Sequence, residues 1–397
     1  MDRAIKHTAV DRLPVVMASA VLTSTCLLPA MLMPYLVGAV ALTVTPDSRL
    51  LGFVAAAVLG GPIALMAASV LWVRRYPWQR LVFGGLAVAA VGYLLAGGAR
   101  DFATLITWIA LGSSALAIAY APPICLLSDT SDPDRNFGYA FFLQIIASGL
   151  VGLAVTALQG RLGPRSVFIL IAAAFAASLA LLPWIPQRGV KVQARSMAAA
   201  PLPAPSPSPH IWMGLAGMLL LNAGPTAVWA FFEQIGRGAG FTEQSVGNMI
   251  AIALLLGAPG SLLSGAAARR YGRIRPLAAS TLLLVVTFGI AIHAHSPMVY
   301  FLAGTLFQFL LNFGLSFQYG ALSDADTSGR LIVLAPTFQG IGGIGGPIIA
   351  GLLAHGGSYV AVGAWSAVYE ITGLALLVGL CTRGAAGRSP SLPTTPR

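Results

Sequence analysis

The sequence predicts an all-α membrane protein with twelve transmembrane helices in two homologous six-helix halves. Three observations support this prediction: a very low charge content, twelve long apolar runs, and an internal repeat. Of the 397 residues, 57% are hydrophobic and only 9% are charged, whereas a typical soluble domain has about 25% charged residues. So few ionisable groups cannot cover the surface of a soluble fold, so we expect hydrocarbon to be the main solvent.

Twelve apolar runs are long enough to cross the membrane, because about 20 helical residues span about 30 Å of hydrocarbon. They begin near Pro14, Ser48, Leu81, Ala103, Asn136, Arg165, Ile211, Val246, Pro276, Met298, Leu331 and Ser358. A Pro/Ala/Ser-rich stretch at 187–209 separates the first six from the last six and is typical of an extended, solvated linker. We therefore predict an N-terminal half at 1–186, a C-terminal half at 210–382, and a disordered tail at 383–397.

The basic residues are distributed as in a membrane protein. The formal net charge is +11, but the basic residues lie in short gaps between apolar runs and form no continuous stripe for nucleic acid. Eighteen Lys and Arg residues fall on the side of the termini and five on the other side, which predicts that both termini are cytoplasmic. This favours a bacterial inner membrane. Cys26, Cys125 and Cys381 lie singly, so no metal or cofactor site is expected.

The repeat appears when the chain is compared with itself at an offset of 195 residues. Arg74-Arg75-Tyr76 recurs as Arg269-Arg270-Tyr271, and Leu127-Ser128-Asp129 recurs as Leu322-Ser323-Asp324. Arg135 and Gln144 recur at the same offset as Arg330 and Gln339. A general bias towards basic loops explains paired arginines, but it does not explain the shared Asp, Arg and Gln spacing.

These loops resemble those of the major facilitator superfamily, whose members have two six-helix halves and a signature loop Gly-x-x-x-Asp-Arg-x-Gly-Arg-Arg. The run from Gly265 to Arg273 matches it except that Arg269 replaces the acidic residue. In the first half Val70 and Pro77 replace both glycines, and Arg74 replaces the acid. The loop at 129–138 resembles that of drug/proton antiporters, so the resemblance implies an antiporter-like member with degenerate signature loops.

In the superfamily the missing acid helps to hold a cytoplasmic gate through a charge network. We hypothesise that Asp129 and Asp324 take its place, pairing with nearby arginines as the halves rock. The alternative is a set of solvated loop charges worth about 0–1 kcal/mol each. The candidate gate residues are Arg74, Arg75, Arg80, Asp129, Arg135, Arg269, Arg270, Arg273, Asp324 and Arg330.

Two acidic residues lie within the apolar runs, where ionisable groups are candidates for function. Glu233 is near the outer end of span seven, and Glu370 is near the middle of span twelve. A carboxyl group in a low-dielectric setting favours its neutral form and can carry a proton. Helix seven lines the cavity in the superfamily, so Glu233 is the preferred coupling residue. The alternatives are an outer carboxylate in contact with water for Glu233 and a structural hydrogen bond for Glu370.

Polar and aromatic side chains are dense in the runs that would line a central cavity. Because amides in hydrocarbon need partners, such side chains should face protein or a wet cavity. Interhelical hydrogen bonding, at about 0.6 kcal/mol per bond, is the alternative. The predicted cavity residues are Asn222, Trp229, Gln308, Asn312, Ser316, Tyr35 and Trp108.

The leading functional prediction is a monomeric, proton-coupled secondary transporter for a small neutral, aromatic or cationic organic solute. The loop at 129–138 favours export. A glycine-rich run at 340–347 resembles the antiporter motif of the superfamily, but it lies in helix eleven, whereas the family motif lies in helix five. This displacement weakens the prediction of export. Uptake of a neutral nutrient and a non-transporting sensor remain alternatives. No convergent nucleophile, base or metal set indicates an enzyme.

Overall fold

The computed structural model describes residues 10–73, 75–130, 133–188, 209–325, 334–354 and 358–386. In this part of the chain all the regular structure is helical apart from an isolated bridge residue at Ser358. We number the helices by membrane span and use letters where a span is divided. The N-terminal half contains α1a (Leu13–Cys26), α1b (Leu28–Met31), α1c (Met33–Thr43), α2 (Ser48–Trp72), α3 (Trp78–Gly98), α4 (Phe102–Ser128), α5 (Pro133–Leu162) and α6 (Ser166–Ser178) followed by a 3₁₀ helix (Leu179–Trp184).

The C-terminal half repeats this order. It contains α7a (Pro209–Ala230), α7b (Phe232–Gly238), α8a (Glu243–Gly257), α8b (Pro259–Tyr271), α9 (Ile274–Ile292), α10 (Pro297–Ala325), α11 (Ala335–Leu353) and α12 (Val360–Ala386).

Three spans are interrupted, and in two of these spans the breaks have a clear chemical cause. Proline lacks a backbone N–H and cannot continue the hydrogen-bond ladder; α1 accordingly breaks next to Pro29 and Pro34, and α8 breaks at Ala258, just before Pro259. Span seven breaks at Phe231 without a neighbouring proline. The Tyr300 hydroxyl donates a hydrogen bond to the carbonyl oxygen of Phe232 just after this break.

The predicted fold class is confirmed. Ten helices in the described part of the chain are long and apolar enough to cross a membrane; the divided α1 and the glycine-rich α11 complete the twelve. The helices begin within four residues of the predicted starts, except that the start predicted near Leu331 lies outside the described residues. Most of the predicted linker and tail, 189–208 and 387–397, also lie outside them.

The helix contacts follow the internal repeat. In the N-terminal half α1a packs on α5, α2 on α4, and α3 on α4 and α6; in the C-terminal half α7a packs on α11, α8b on α10, and α9 on α10 and α12. The halves meet where α2 packs on α11, where α5 packs on α8a, and where α1c contacts α7a and α7b. The space between the halves is therefore bordered by helices from both repeats.

The glycine-rich run of α11 allows this helix to pack closely on both sides. A methyl group at Gly342 or Gly346 would overlap backbone atoms of α7a, while Gly340 and Gly343 face Ile63 and Leu59 of α2. Glycine removes the side chains that would hold packed helices apart. The run therefore serves the packing of α11 between its own half and the other half.

Neighbouring glycines in α3 provide a matched test of this packing. A side chain at Gly85 would meet backbone atoms of Ala115 and Ala119 in α4, whereas nothing lies within 4 Å of one at Gly84. Overpacking typically costs about 1–3 kcal/mol, so we expect Gly85→Leu to lower the thermal unfolding midpoint of the purified protein. Gly84→Leu should leave it unchanged; equal midpoints for the two variants would contradict this packing.

Candidate substrate and coupling site

Hydrogen bonds join the two halves at the end of the bundle opposite the termini, which we call the far end. Ser48 Oγ at the start of α2 donates to the carbonyl oxygen of Ala354 after α11, at 2.8 Å. Gln159 Nε2 in α5 donates to the carboxylate of Glu243 at the start of α8a. Glu243 lies 195 residues after Ser48, and Ala354 lies 195 residues after Gln159. These bonds are therefore the same contact made twice, once on each side of the repeat axis.

A third hydrogen bond lies deeper in the junction. Tyr35 Oη in α1c donates to the carbonyl oxygen of Gly247 in α8a at 2.5 Å. A methyl group at Gly247 would overlap Thr156 of α5, so glycine is needed for this approach. Tyr35, one of the predicted cavity residues, is 4% exposed. In this structure its hydroxyl links the N-terminal half to the C-terminal half.

Glu233 lies beside this junction, in the short helix α7b. Its side chain is only 4% exposed, so in this conformation it is not the water-exposed outer carboxylate of the alternative prediction. The carboxylate occupies the space above Gly38 of α1c, where a methyl group would overlap it. Gly38 and Glu233 are themselves 195 residues apart, so the two repeat mates meet near the axis between the halves.

The charges around Glu233 are few. In the part of the chain that the structure describes, Arg237 and Glu243 are the charged side chains near it, and the hydroxyl groups of Tyr35 and Tyr300 also lie close. Arg237 follows one turn later in α7b. A carboxyl group in this setting is held by protein groups rather than by bulk water, and moving the halves apart would change its surroundings at once.

Aromatic rings form a wall behind Glu233. Trp229 stacks on Phe307 with 5.8 Å between ring centroids, and Phe232 stacks on Tyr300 at 4.7 Å. Trp229, predicted to line the cavity, is only 8% exposed and belongs to this wall inside the C-terminal half. The wall fixes the position of α7b relative to α10.

A connected amide cluster lies on the inner side of the C-terminal half. Asn222 Nδ2 in α7a donates to the backbone carbonyl of Gln339 in α11 at 2.5 Å, and Tyr319 Oη in α10 donates to Gln339 Oε1 at 2.7 Å. Gln339 Nε2 has no hydrogen-bond partner among the described residues. Tyr120 of α4, in the opposite half, lies close to Tyr319. Asn222 is one of the predicted cavity residues, but its contact with Gln339 and Tyr319 is not evident from the sequence.

The other predicted cavity residues are more scattered. Gln308 is buried against Gly257 of α8a, and Asn312 Nδ2 donates to the Gln308 carbonyl at 2.8 Å. Ser316 is exposed, and Trp108 is half-buried against the core of the N-terminal half. The structure therefore does not gather these side chains with Asn222 into one site.

Glu370 is separate from the junction. It is 1% exposed and faces α7a, α9 and α10, all within its own half. The two acidic residues of the apolar spans thus occupy different places, Glu233 between the halves and Glu370 inside one of them.

The predicted gate residues lie at the end of the bundle that carries the termini. Asp129 is fully buried at the end of α4, whereas Arg75, Arg80, Arg269 and Arg270 are exposed. Arg273 Nη1 donates to the carbonyl oxygen of Gly320 in α10 at 2.6 Å, tying the loop before α9 to its own half. Arg74, Arg330 and the side chains of Arg135 and Asp324 lie outside the described part of the structure.

Two repeated bundles with a polar, partly charged junction between them define a membrane carrier. The family profile described as Major Facilitator Superfamily matches residues 15–325. The chain belongs to the major facilitator superfamily, an integral membrane transporter family whose substrates are small molecules.

Solved structures have the same fold. The crystal structure of the nucleoside transporter NupG superposes with a TM-score of 0.71 at 14% identity, covering 93% of this chain and 98% of that one. A bacterial homolog of the human lysosomal transporter Spinster, inward-facing and occupied, gives 0.66 at 14% identity, with 94% of each chain covered. Comparison with curated protein sequences gives no match. At these identities the likeness shows the fold alone.

The Tyr35 hydroxyl allows a direct test of the far-end junction. Removing one hydrogen bond costs about 0.5–1.5 kcal/mol, so we expect Tyr35→Phe to open the far end more often. A cysteine at Thr156, in a background without native cysteines, should then react several-fold faster with an impermeant maleimide.

Tyr93→Phe is the matched control, because the Tyr93 hydroxyl bonds to Ser113 Oγ at 2.8 Å within the N-terminal half. It should leave the labelling rate at Thr156→Cys unchanged. If both substitutions speed labelling equally, Tyr35 has no special part in closing the far end.

Proposed function

We propose that this protein is a proton-coupled secondary transporter that moves a small neutral, aromatic or cationic organic solute by alternating access, with Glu233 as the coupling group. The observation that carries the proposal is the position of Glu233. It is the buried acidic side chain at the junction of the halves, packed onto its own repeat mate Gly38.

Coupling follows from the change in surroundings that Glu233 undergoes. With the far end closed, burial favours a neutral, protonated carboxyl group. When the far end opens, water reaches the junction and the proton can leave or exchange. Each opening or closing of the far end then changes the affinity of Glu233 for a proton. Coupling between proton movement and the conformational change requires such a difference in affinity.

The chemistry of the cavity supports a neutral or cationic solute. None of the Lys or Arg side chains in the described residues is buried. Apart from the half-buried Arg237 beside Glu233, the described spans therefore offer no fixed positive charge for an anion. The Asn222–Gln339–Tyr319 cluster offers hydrogen bonds, including the unpartnered Gln339 Nε2. Tyr120 and Tyr319, one from each half, offer aromatic surfaces.

With the far end shut, we expect solute to enter and leave at the end that carries the termini. If both termini are cytoplasmic, as the distribution of basic residues predicts, that end faces the cytoplasm of a protein in a bacterial inner membrane. In the opposite state we expect the arginine-rich loops and Asp129 to form the second gate. Carriers of this class bind near the bilayer midplane between the two repeats.

Export is the direction we favour, on the basis of the antiporter-like loop at 129–138. Uptake of a neutral nutrient is the second candidate. The two candidates share the same coupling group and differ in which gate opens to take up solute.

Glu233→Gln in proteoliposomes with an imposed pH gradient tests the coupling. Ethidium represents the cationic aromatic solutes and labelled uridine the neutral ones. We expect the wild type to accumulate one of them against its gradient. The variant should only equilibrate it, yet still exchange it for unlabelled solute, because the amide cannot release a proton. If the variant accumulates solute against its gradient at the wild-type level, Glu233 is not the coupling group.

Asp101→Asn is the control carboxyl variant. Asp101 is an exposed cap of α4 that accepts a hydrogen bond from the Thr104 backbone N–H at 2.8 Å. This bond lowers the pKa of Asp101, so the side chain stays charged at neutral pH and should not affect coupling.

The direction of the pH gradient that drives accumulation separates export from uptake. Binding of solute without flux would indicate a sensor.

A further inference from the structure

The interior of the C-terminal half contains a small polar cavity that the proposed transport path does not use. Its volume is about 10 Å³, close to the minimum that holds one water molecule. Glu370 of α12, Gln318 of α10, and Ser280 and Thr281 of α9 contribute polar groups to its lining. The cavity is too small for an organic solute, so its occupant is a single small species.

Two oxygen atoms at this cavity have no donor among the described residues. Glu370 Oε1 and Gln318 Oε1 are both buried and have no hydrogen-bond partner. Glu370 is 1% exposed and Gln318 is 6% exposed. Unpartnered buried acceptors are rare and costly. Two of them at one cavity indicate an occupant that carries positive charge or donates hydrogen bonds.

No side chain supplies that charge. None of the described residues that line the cavity is Lys, Arg or His, and Glu370 is the one titratable group among them. The nearest titratable neighbours in sequence are engaged elsewhere: Tyr319 bonds to Gln339, and Tyr369 stacks on Trp365 with 3.9 Å between centroids. A buried carboxylate without a partner is too costly to persist, so it needs a bound cation or a proton.

The fold itself does not require polar groups here. At the repeat offset of 195 residues, the mates of Glu370, Gln318 and Ser280 are Phe175, Pro123 and Gly85. Phe175 is fully buried and meets Tyr93 edge-on, with 5.6 Å between centroids. The N-terminal half thus fills the equivalent region with apolar packing, and the polar set belongs to the C-terminal half alone.

We propose that Glu370 and Gln318 form a binding site for a small monovalent cation, a proton or Na⁺, inside the C-terminal half. Ser280 and Thr281 supply neutral oxygen atoms nearby, a set that suits a hard cation. The site lies apart from Glu233, and its occupancy does not depend on the transported solute. It gives this half a cation-dependent stability that the other half lacks.

Thermal unfolding of the full-length protein in detergent, without solute, tests the site. One arm compares NaCl with choline chloride at equal ionic strength, and the other compares acidic with alkaline sodium-free buffer. If the occupant is Na⁺, sodium raises the unfolding midpoint of the wild type and of Glu233→Gln, but not of Glu370→Gln. If the occupant is a proton, acidic buffer raises the unfolding midpoint of the wild type and of Glu233→Gln relative to that of Glu370→Gln, and sodium has no effect.

Equal responses of Glu370→Gln and the wild type in both arms would overturn the proposal, whether or not Glu233 couples transport. Gln318→Met keeps the carboxyl group and removes one ligand oxygen, so it serves if Glu370→Gln does not fold. It should raise the half-saturating cation concentration, of Na⁺ or of protons, roughly tenfold. A merely structural role would lower its midpoint equally in all buffers and leave the half-saturating concentration unchanged, which also counts against the site.

Discussion

The contact between repeat mates at the far end is the constraint on which the rest of this structure depends. Gly38 and Glu233 occupy equivalent positions in the two halves, and they can touch only because one of them has no side chain. Around them, Ser48 with Ala354 and Gln159 with Glu243 make the same bond twice. A bilayer offers no water to an opened polar group. The polar groups of the junction are therefore paired within the protein while the junction is shut, and water enters from the aqueous side only when the far end opens. Glu233 lies at the place where these two environments differ.

The two halves differ at several positions to which we assign a function. In the loop before α9, Arg273 ties to α10 through the Gly320 carbonyl, while its mate Trp78 is buried and donates to Val73. Glu233 has glycine as its mate and Glu370 has phenylalanine. Both buried span acids are thus confined to the C-terminal half. The N-terminal half supplies the complementary surface, including Tyr35 and Gly38.

Much of the fold could be predicted from sequence, because hydrocarbon solvent imposes long apolar helices and the repeat fixes their grouping. The positions of individual side chains were harder to predict. Hydropathy places Glu233 at the outer end of a span but cannot show that α7 breaks at Phe231, which buries the carboxyl. Gln308, Asn312 and Ser316 were all predicted to line the cavity, yet helix packing buries the first and exposes the last. The meeting of Asn222 with Gln339 depends on how closely α11 approaches α7a, a tertiary contact made possible by Gly342 and Gly346.

The central claim is that Glu233 holds a proton while the far end is shut and loses it when the junction opens. Infrared difference spectroscopy of the protein in lipid, between acidic and alkaline buffer, reports this directly through the stretching band of protonated carboxyl groups. We predict such a band in the wild type that is missing in Glu233→Gln, and that titrates at lower pH when Tyr35→Phe loosens the junction. A spectrum of Glu233→Gln identical to that of the wild type would contradict the account.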